Sequence, residues 1–395
     1  MTHLAGSSRL LRAMNEIAAL SHLLDRGALT RAELRELTGL SKPTISEAVR
    51  RLTDAGLVVV VGHVSAGPGP NAEVYAANPN AAYVIAVSVR DTFLGERTSS
   101  PSLAAAVCDV SGTVRGRLDA PVNFELDDPV EAVCAMVDQL RAEVDGSGIG
   151  YVQIGVAGAY DPKSGIIHHV DVPGWGRPGL VAELGRRIGL RVEVDNDVNL
   201  AAAAERRRGV AADSEGFALL WLGEGLGLAI DLGGTLLRGA RGGAGEIGYM
   251  PLYNLNGERR ADLQDLIGGQ AVLDLAAAHG VPGQTPAEAV ANAAEGDAAE
   301  TPAGRTFLAA LAERIAVGMA AVVAVLDPPL VVLGGQVAQA GGVPLRDAVR
   351  DAMAANAPLD TTVAITAVTD DPVLLGGLDA GLAAVREVLL TSLRA

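Results

Sequence analysis

Ser41, Lys42, Thr44, Ser46, Arg50 and Arg51 have the types and spacing to recognise a nucleic acid. Short polar side chains at the start of a helix reach base edges and backbone phosphates, and the two arginines further along can hold phosphates. The chemistry is hydrogen bonding and charge pairing on one face. A plainer reading stands beside it: arginine and glutamate on a helix, here with Glu47 among them, often make only a solvated surface.

The elements that must position these residues are written around them. Thr30 can cap a short helix whose apolar face is Ala32, Leu34 and Leu37, and Gly39 supplies a sharp turn. Ser41 is a good N-cap for a second helix, and Pro43 sits in its first turn, where a missing N–H costs nothing. Ile45, Val49 and Leu52 recur at helical spacing to pack inward, and Gly56 ends the segment. Leu57 to Val61 is then β-branched and strand-like, residues 62–70 form a turn-rich tip, and Ala72 to Tyr75 can return as a second strand. Cap, turn, helix and wing agree on a winged helix-turn-helix that binds double-stranded DNA.

The charge distribution fits that assignment. The 395-residue chain has a formal net charge of −16, yet residues 1–80 hold eight basic and seven acidic side chains, so the acid lies in the remainder. An acidic body repels DNA and leaves contact to the N-terminal module, which favours orientation over tight non-specific binding. A hydrophobic content of 49% with 20% charged residues excludes a disordered chain. No apolar run is expected to reach the roughly 20 residues of a membrane span, and the N-terminus lacks a signal peptide's apolar centre. Cys108 and Cys134 are isolated, which excludes a disulfide framework or a cysteine-rich zinc site. A cytoplasmic protein is expected.

Beyond a linker near residues 76–82, strands and helices alternate. Tyr83 to Val89, Leu103 to Asp109, Tyr151 to Val156 and Arg191 to Val194 read as strands, with helices at Val130 to Val144, Leu180 to Gly189 and Asn199 to Arg208. Phe217 to Leu222 and Leu226 to Asp231 form a hairpin pair, and Leu330 to Leu333 is a buried strand between long alanine-rich helices. The class is α/β, with parallel sheets expected.

The order of IGVAGAYDPKSGII, VPGW, VEVDNDVNLAAAAE, GEGLGLAI, RGARGGAGEIGYM and VVLGGQV, following a winged helix, resembles the ROK family of repressors and sugar kinases over essentially the whole chain. The resemblance implies a two-lobed actin-like ATPase fold that binds a sugar between its lobes. It implies units at 1–80, at 81–197 joined by a C-terminal helix 377–395, and at 198–376. It also makes Asp197 the equivalent of the catalytic base of the kinases, a carboxylate that in a binding protein can instead accept hydrogen bonds from sugar hydroxyls beside Asn196. An Asx turn from Asp195 or Asp197 capping the following helix is the structural alternative. Gly158 resembles the family's sugar-side loop, and Glu246 its sugar-contacting glutamate. Tyr249 and Trp175 can stack on a sugar face or fill the core.

Departures from the pattern decide the expected activity. The DxGGT phosphate loop after the first strand is replaced by Val87-Ser88-Val89-Arg90-Asp91-Thr92, so phosphate should be poorly held. A literal DLGGT at Asp231 to Thr235 follows the hairpin and reads more simply as a β-turn. Glu224 puts a carboxylate where a small hydroxyl residue faces phosphate in the kinases. Gly334-Gly335 matches a nucleotide-binding turn, but with the other phosphate features lost it reads as tight packing after a buried strand. The family's ExGH segment reads Glu246-Ile247-Gly248-Tyr249, without the histidine, and Pro251 to Leu263 holds none of the cysteines that would join it on zinc. Gln264 stands where a later family glutamate aligns, and Asp171 or Val172 where an asparagine precedes PGW. The wing tip, Gly67-Pro68-Gly69-Pro70-Asn71, lacks the arginines that suit a narrow minor groove, with His63 nearest.

The expected protein is a homodimeric or homotetrameric repressor of carbohydrate-related genes on repeated half-sites, sensing a sugar or sugar-like effector, with no cofactor, metal, membrane association or kinase activity. The candidate ligand residues are Gly158, Asn196, Asp197, Glu246 and Tyr249. The alternatives are a sugar kinase with an accessory DNA-binding domain, and a regulator whose ligand site is vestigial.

Overall fold

The computed structural model describes residues 3–65, 71–90, 102–144, 148–170, 172–253, 257, 259–295, 301–356 and 361–394. The chain opens with a helix that the sequence pattern did not announce, α1 (His3–Arg26). It continues through β1 (Leu29–Thr30), α2 (Arg31–Thr38), α3 (Lys42–Asp54), β2 (Val58–Val64) and β3 (Ala72–Ala77). Thr30 and Glu33 satisfy each other's backbone N–H groups in a capping box at the start of α2. The Ser41 hydroxyl accepts the Thr44 N–H at 3.4 Å, and Pro43 occupies the first turn of α3.

The inward face of α3 carries Ile45, Ala48, Val49 and Leu52, all buried, and this face packs with Leu20 and Leu23 of α1, Leu34 of α2 and Tyr75 of β3. Each fully buried aliphatic side chain of this kind contributes about 1.5–3 kcal/mol. β3 lies between β1 and β2 in an antiparallel three-stranded sheet. β2 runs three residues past its expected end, through an irregularity between Val60 and Gly62. Of the expected tip, 62–70, the first residues continue β2 to Val64, and residues 66–70 lie outside the described residues.

The first five-stranded sheet is assembled from β4 (Tyr83–Val89), β5 (Leu103–Asp109), β6 (Val114–Ala120), β7 (Ile149–Val156) and β10 (Arg191–Asn196), in the order β10-β7-β4-β5-β6. Helix α4 (Pro129–Ala142) precedes β7. The small hairpin β8 (Ala159–Asp161) and β9 (Ile166–His168), then α5 (Leu180–Ile188), precede β10. The expectation of a parallel sheet is corrected here. β10, β7 and β4 are parallel, whereas β4, β5 and β6 are antiparallel. The β5–β6 link is a tight turn held by the Asp109 carboxylate, which accepts the N–H groups of Ser111 and Thr113, and so short a link permits only an antiparallel return. Trp175 is fully buried in the core of this unit, edge-on to Phe124 at 5.8 Å, so it fills the core and is not a pocket wall. Cys108 and Cys134 are buried and unbridged.

Helix α6 (Asp197–Arg208) leads to the second sheet, formed by β11 (Gly216–Leu222), β12 (Leu226–Leu232), β13 (Thr235–Leu236), β16 (Leu330–Gly334) and β17 (Thr362–Ile365), in the order β13-β12-β11-β16-β17. It too is mixed, with β11 and β12 antiparallel and β11, β16 and β17 parallel. Between β13 and β16 come the hairpin β14 (Pro251–Tyr253) and β15 (Arg259–Asp262), then α7 (Leu263–Ile267), α8 (Gly269–Ala278), α9 (Pro286–Ala294) and α10 (Pro302–Leu326). By length and composition alone α10 is apolar enough to cross a membrane, although Arg305, Glu313 and Arg314 interrupt its apolar run. Its Phe307, Leu311, Ile315 and Met319 are nonetheless fully buried in the core of the second sheet. Helix α11 (Gly335–Asn356) is broken at Gly342, two residues before Pro344.

The last helix, α12 (Pro372–Ser392), turns back onto the first sheet. Leu374, Leu378 and Val385 bury against Val84, Ala86, Ala106 and Tyr151. Its far end reaches the N-terminal module, where Leu389, Leu390 and Leu393 pack against the core built from α1, α2 and α3. Arg386 clamps the same junction by donating to the Val110 carbonyl at 2.9 and 3.1 Å.

Candidate functional site

The six predicted DNA-reading residues lie on and just before α3. Ser41, Lys42 and Arg50 are exposed, and Thr44, Ser46 and Arg51 are half-buried. The Ser41 and Thr44 hydroxyls are 2.7 Å apart. The arginines are not idle. Arg50 donates to Glu47 at 2.7 and 3.0 Å and to Asp54 at 2.7 Å, while Arg51 donates to Glu47 at 2.8 Å and lies 3.7 Å from Glu16 of α1. Hydrogen bonds from Arg50, and then from Arg51, pull the Glu47 carboxyl down to about 2. These are exposed pairs, which water and phosphate can replace at little cost. Any phosphate contact by Arg50 or Arg51 exchanges Glu47 for DNA.

The predicted ligand residues gather where β7 and β10 end and α6 begins. Asn196 is the N-cap of α6: its side-chain oxygen accepts the N–H groups of Val198 at 2.8 Å and Asn199 at 3.3 Å. The expected cap from Asp195 or Asp197 is therefore corrected. The Asp195 carboxylate is instead occupied by Arg238 at 2.7 Å and by the Asn199 amide at 3.0 Å. The Asn196 amide donates to the Gly158 carbonyl at 3.3 Å, which joins two of the predicted residues directly.

Asp197 follows at the first position of α6, its carboxylate accepting only the Val198 N–H at 2.8 Å among the bonds described. Burial raises this carboxyl to about 6, Val198 opposes the shift, and the neighbouring charge of Glu246 adds to it. Burial raises the Glu246 carboxyl as well, and His169 opposes that shift. Two carboxyls held above their ordinary range beside each other are a common mark of a binding or catalytic site.

Glu246 is brought close enough for its charge to bear on Asp197 by a glycine-rich run that is clasped from both sides. The Gly245 carbonyl accepts the Leu228 N–H of β12 at 3.0 Å, and Gly242 abuts the Tyr160 backbone of β8 so closely that no Cβ fits. Tyr249 is 55% exposed, and its ring stands 4.8 Å from that of His169. His169, just after β9, was missed by the sequence reading. The His168-His169 pair holds two of only six histidines in the chain, and that concentration was the available signal.

Positions that serve phosphate in the kinase pattern are used otherwise. At the end of β4, Arg90 donates its N–H to the Ser102 carbonyl at 2.9 Å and its guanidinium to Asp371 at 2.6 Å, at the head of α12. Residues 91–101 lie outside the described residues. Gly233 and Gly234, at φ 63° and 86°, form a two-residue hairpin turn between β12 and β13, so the DLGGT run is the expected turn. Its Asp231 is paired with Arg206.

The Glu224 carbonyl accepts from Gly269 at 3.0 Å and from Gln264 at 3.2 Å, and Gln264 also accepts the Leu226 N–H at 3.0 Å, so this amide braces the β11–β12 turn. Gly335 lies against the Leu222 backbone with no room for a Cβ, which is tight packing. Among the described residues no three His, Cys, Asp or Glu side chains are grouped to hold a metal. A cavity of about 550 Å³ opens elsewhere, at the foot of the second sheet between Phe217, Ile230, Asp231, Leu326 and Pro329, and none of the predicted site residues lines it.

Comparison with known proteins gives this arrangement its relatives. The ROK family model matches residues 101–377, more than half of the chain, and a MarR family model matches residues 11–67. The xylose repressor of Bacillus subtilis (strain 168) is 23% identical over 254 residues, which cover 63% of this chain and 63% of the repressor. The chain thus spans less than two thirds of the length of the curated relatives it matches. A solved ROK family transcriptional regulator, a homologue of the E. coli MLC protein, shares the fold over 97% of this chain and 99% of its own, with a TM-score of 0.73 and 18% identity. The ROK hexokinase from Thermus thermophilus shares it over 77% of this chain and 99% of its own, with a TM-score of 0.61 and 23% identity. With a winged helix-turn-helix ahead of a two-sheet, sugar-kinase-like actin fold, this chain belongs to the ROK family.

Proposed function

We propose that this protein is a cytoplasmic DNA-binding transcriptional repressor of carbohydrate-related genes, whose kinase-like body senses a sugar or sugar-like ligand. The observation that carries the reading is the continuous packing from the ligand residues to the DNA reader. Asn196 and Asp197 begin α6. Arg208 at its other end pairs with Asp379 of α12 at 2.6 Å, and Gly376 of α12 sits against the Leu200 backbone with no space for a Cβ. Helix α12 then ends among the leucines of the reader core. A helix of 21 residues spans about 30 Å at 1.5 Å per residue, enough to link the two sites as one stiff element.

In this mechanism Gly158, Asn196, Asp197, Glu246 and Tyr249 bind the ligand, with the two carboxylates accepting sugar hydroxyls. Ser41, Lys42, Thr44, Ser46, Arg50 and Arg51 contact DNA. A ligand that favours one arrangement of α6 and α12 biases the reader by its differential affinity for the two states. We assign the units 1–80, 81–197 with 377–395, and 198–376, a division supported by separate hydrophobic cores. A homodimer or homotetramer presents two readers to repeated half-sites.

The competing reading, a sugar kinase with an accessory reader, draws on Asp197, whose carboxyl at about 6 suits a general base. Against it stands the Arg90–Asp371 pair, which commits the end of β4 to anchoring α12. A base without a phosphate cradle does not transfer phosphate. Electrophoretic shift of a selected operator with and without D-xylose, D-glucose and N-acetyl-D-glucosamine, alongside a phosphotransfer assay with Mg-ATP, separates the readings. Operator binding that responds to a sugar, without sugar phosphate formation, supports the sensor. Sugar phosphate formed at a rate abolished by Asp197→Asn rejects it.

A further inference from the structure

We infer that His169 is a ligand-contacting residue of this site, donated from the first sheet's side so that one bound sugar touches His169 on one wall and Glu246 and Tyr249 on the other. The inference rests on the sugar-site reading above.

His169 has a backbone φ of 56°, a left-handed conformation that costs a non-glycine residue stability. Its side chain is exposed, so burial in a core does not account for the strain. What it gains is position. The imidazole ring lies 4.8 Å from the Tyr249 ring at a 47° tilt, and its charge bears on Glu246. His169 follows β9 in the first-sheet unit, whereas Glu246 and Tyr249 follow the second sheet's β12–β13 hairpin, so the contact crosses from one unit to the other.

Imidazole supplies a donor and an acceptor, and tyrosine an aromatic face with a hydroxyl, which together match a ring bearing hydroxyls on its rim and C–H groups on one side. Asp197 and Glu246 nearby oppose a phosphate, so the ligand class is an unphosphorylated neutral or amino sugar.

The test is calorimetry on the full chain with D-xylose, D-glucose and N-acetyl-D-glucosamine, comparing wild type with His169→Gly, His169→Asn and Asp197→Asn. Glycine accepts the left-handed backbone without strain, so His169→Gly removes the ring and keeps the fold. Asparagine tolerates the same backbone and retains a donor and an acceptor. The expected result is that a sugar bound by wild type binds His169→Gly about tenfold more weakly, the scale of one lost hydrogen bond, and that His169→Asn recovers much of the loss. Wild-type affinity in His169→Gly, with binding lost in Asp197→Asn, overturns the role of His169 and leaves the sugar site standing. No binding to wild type by any of the three overturns the sugar-site reading, and the role of His169 with it.

Discussion

Replacing Glu47 with glutamine should tighten DNA binding and make it more sensitive to salt, because Glu47 holds both arginines of α3. It receives two hydrogen bonds from Arg50 and one from Arg51, within an exposed face that also carries Lys42 and Asp54. Glutamine keeps the shape and removes the charge, so the guanidiniums become available to phosphates. Each phosphate newly neutralised steepens the slope of log K against log salt by about 0.9, and both arginines together by up to about 1.8. Between 50 and 200 mM salt, that adds a loss of about 3.5-fold for one new contact and about 12-fold for two. Fluorescence anisotropy of a labelled duplex at four salt concentrations measures the slope directly. The double variant Glu47→Gln/Arg50→Ala should lose most of the gain. An unchanged slope in Glu47→Gln would show that Glu47 withholds neither arginine from phosphate, and a slope unchanged in Arg50→Ala and Arg51→Ala as well would mean that the reader face has to be redrawn around Ser41, Lys42 and Thr44.

Asp197→Asn should raise thermal stability at neutral pH. A carboxyl raised from 3.8 to about 6 in the folded protein is ionised against an opposing cost above pH 6, a cost that fades as pH falls towards 4. The variant is therefore more stable than wild type at pH 7.5, by up to about 3 kcal/mol, and indistinguishable near pH 4; equal melts at pH 7.5 would remove the strain assigned to Asp197. Leu389→Ala with Leu390→Ala should weaken the junction between α12 and the reader by about 1–2 kcal/mol for each half-buried side chain. Hydrogen exchange should then quicken in α1 and α3 but not in β11 or β16, and uniform protection would contradict the docking of α12. Gly376→Ala should force α12 away from α6, lowering the melting temperature and blunting any effect of sugar on DNA binding; a variant that responds to sugar like wild type removes α12 from the coupling route.

The reader was legible because its signals are local. Thr30, Gly39, Ser41 and Pro43 act on residues within four positions of themselves, and the structure uses each where the pattern put it. Helix α1 was not legible, since its buried residues Ala19, Leu20 and Leu23 gain their meaning from partners such as Ile45 and Val49 of α3, more than twenty residues away. The same limit explains the mixed sheets: strand direction depends on which neighbours pair, not on the composition of a strand. In the proposed ligand site, the Asp195-Asn196-Asp197 cluster was visible in the sequence, but which of the three caps α6 was not, because Asp195 is taken up by Arg238 and Asn199, one of them more than forty residues away. His169 went unseen because its partner Tyr249 is eighty residues away. Arg50 and Arg51 show the reverse case, for their pairing with Glu47 and Asp54 follows from i,i+3 and i,i+4 spacing and could have been read from the chain.

The most direct test of the account is selection of duplexes from a random library with the full-length protein, followed by titration of the recovered site with D-xylose, D-glucose and N-acetyl-D-glucosamine at fixed salt. The account predicts a motif of repeated half-sites whose affinity changes with one of these sugars, with Asp197→Asn still binding the motif but no longer responding. A recovered motif bound equally with and without every sugar, by wild type and Asp197→Asn alike, would contradict the claim that the body of this protein senses a carbohydrate on behalf of its DNA reader.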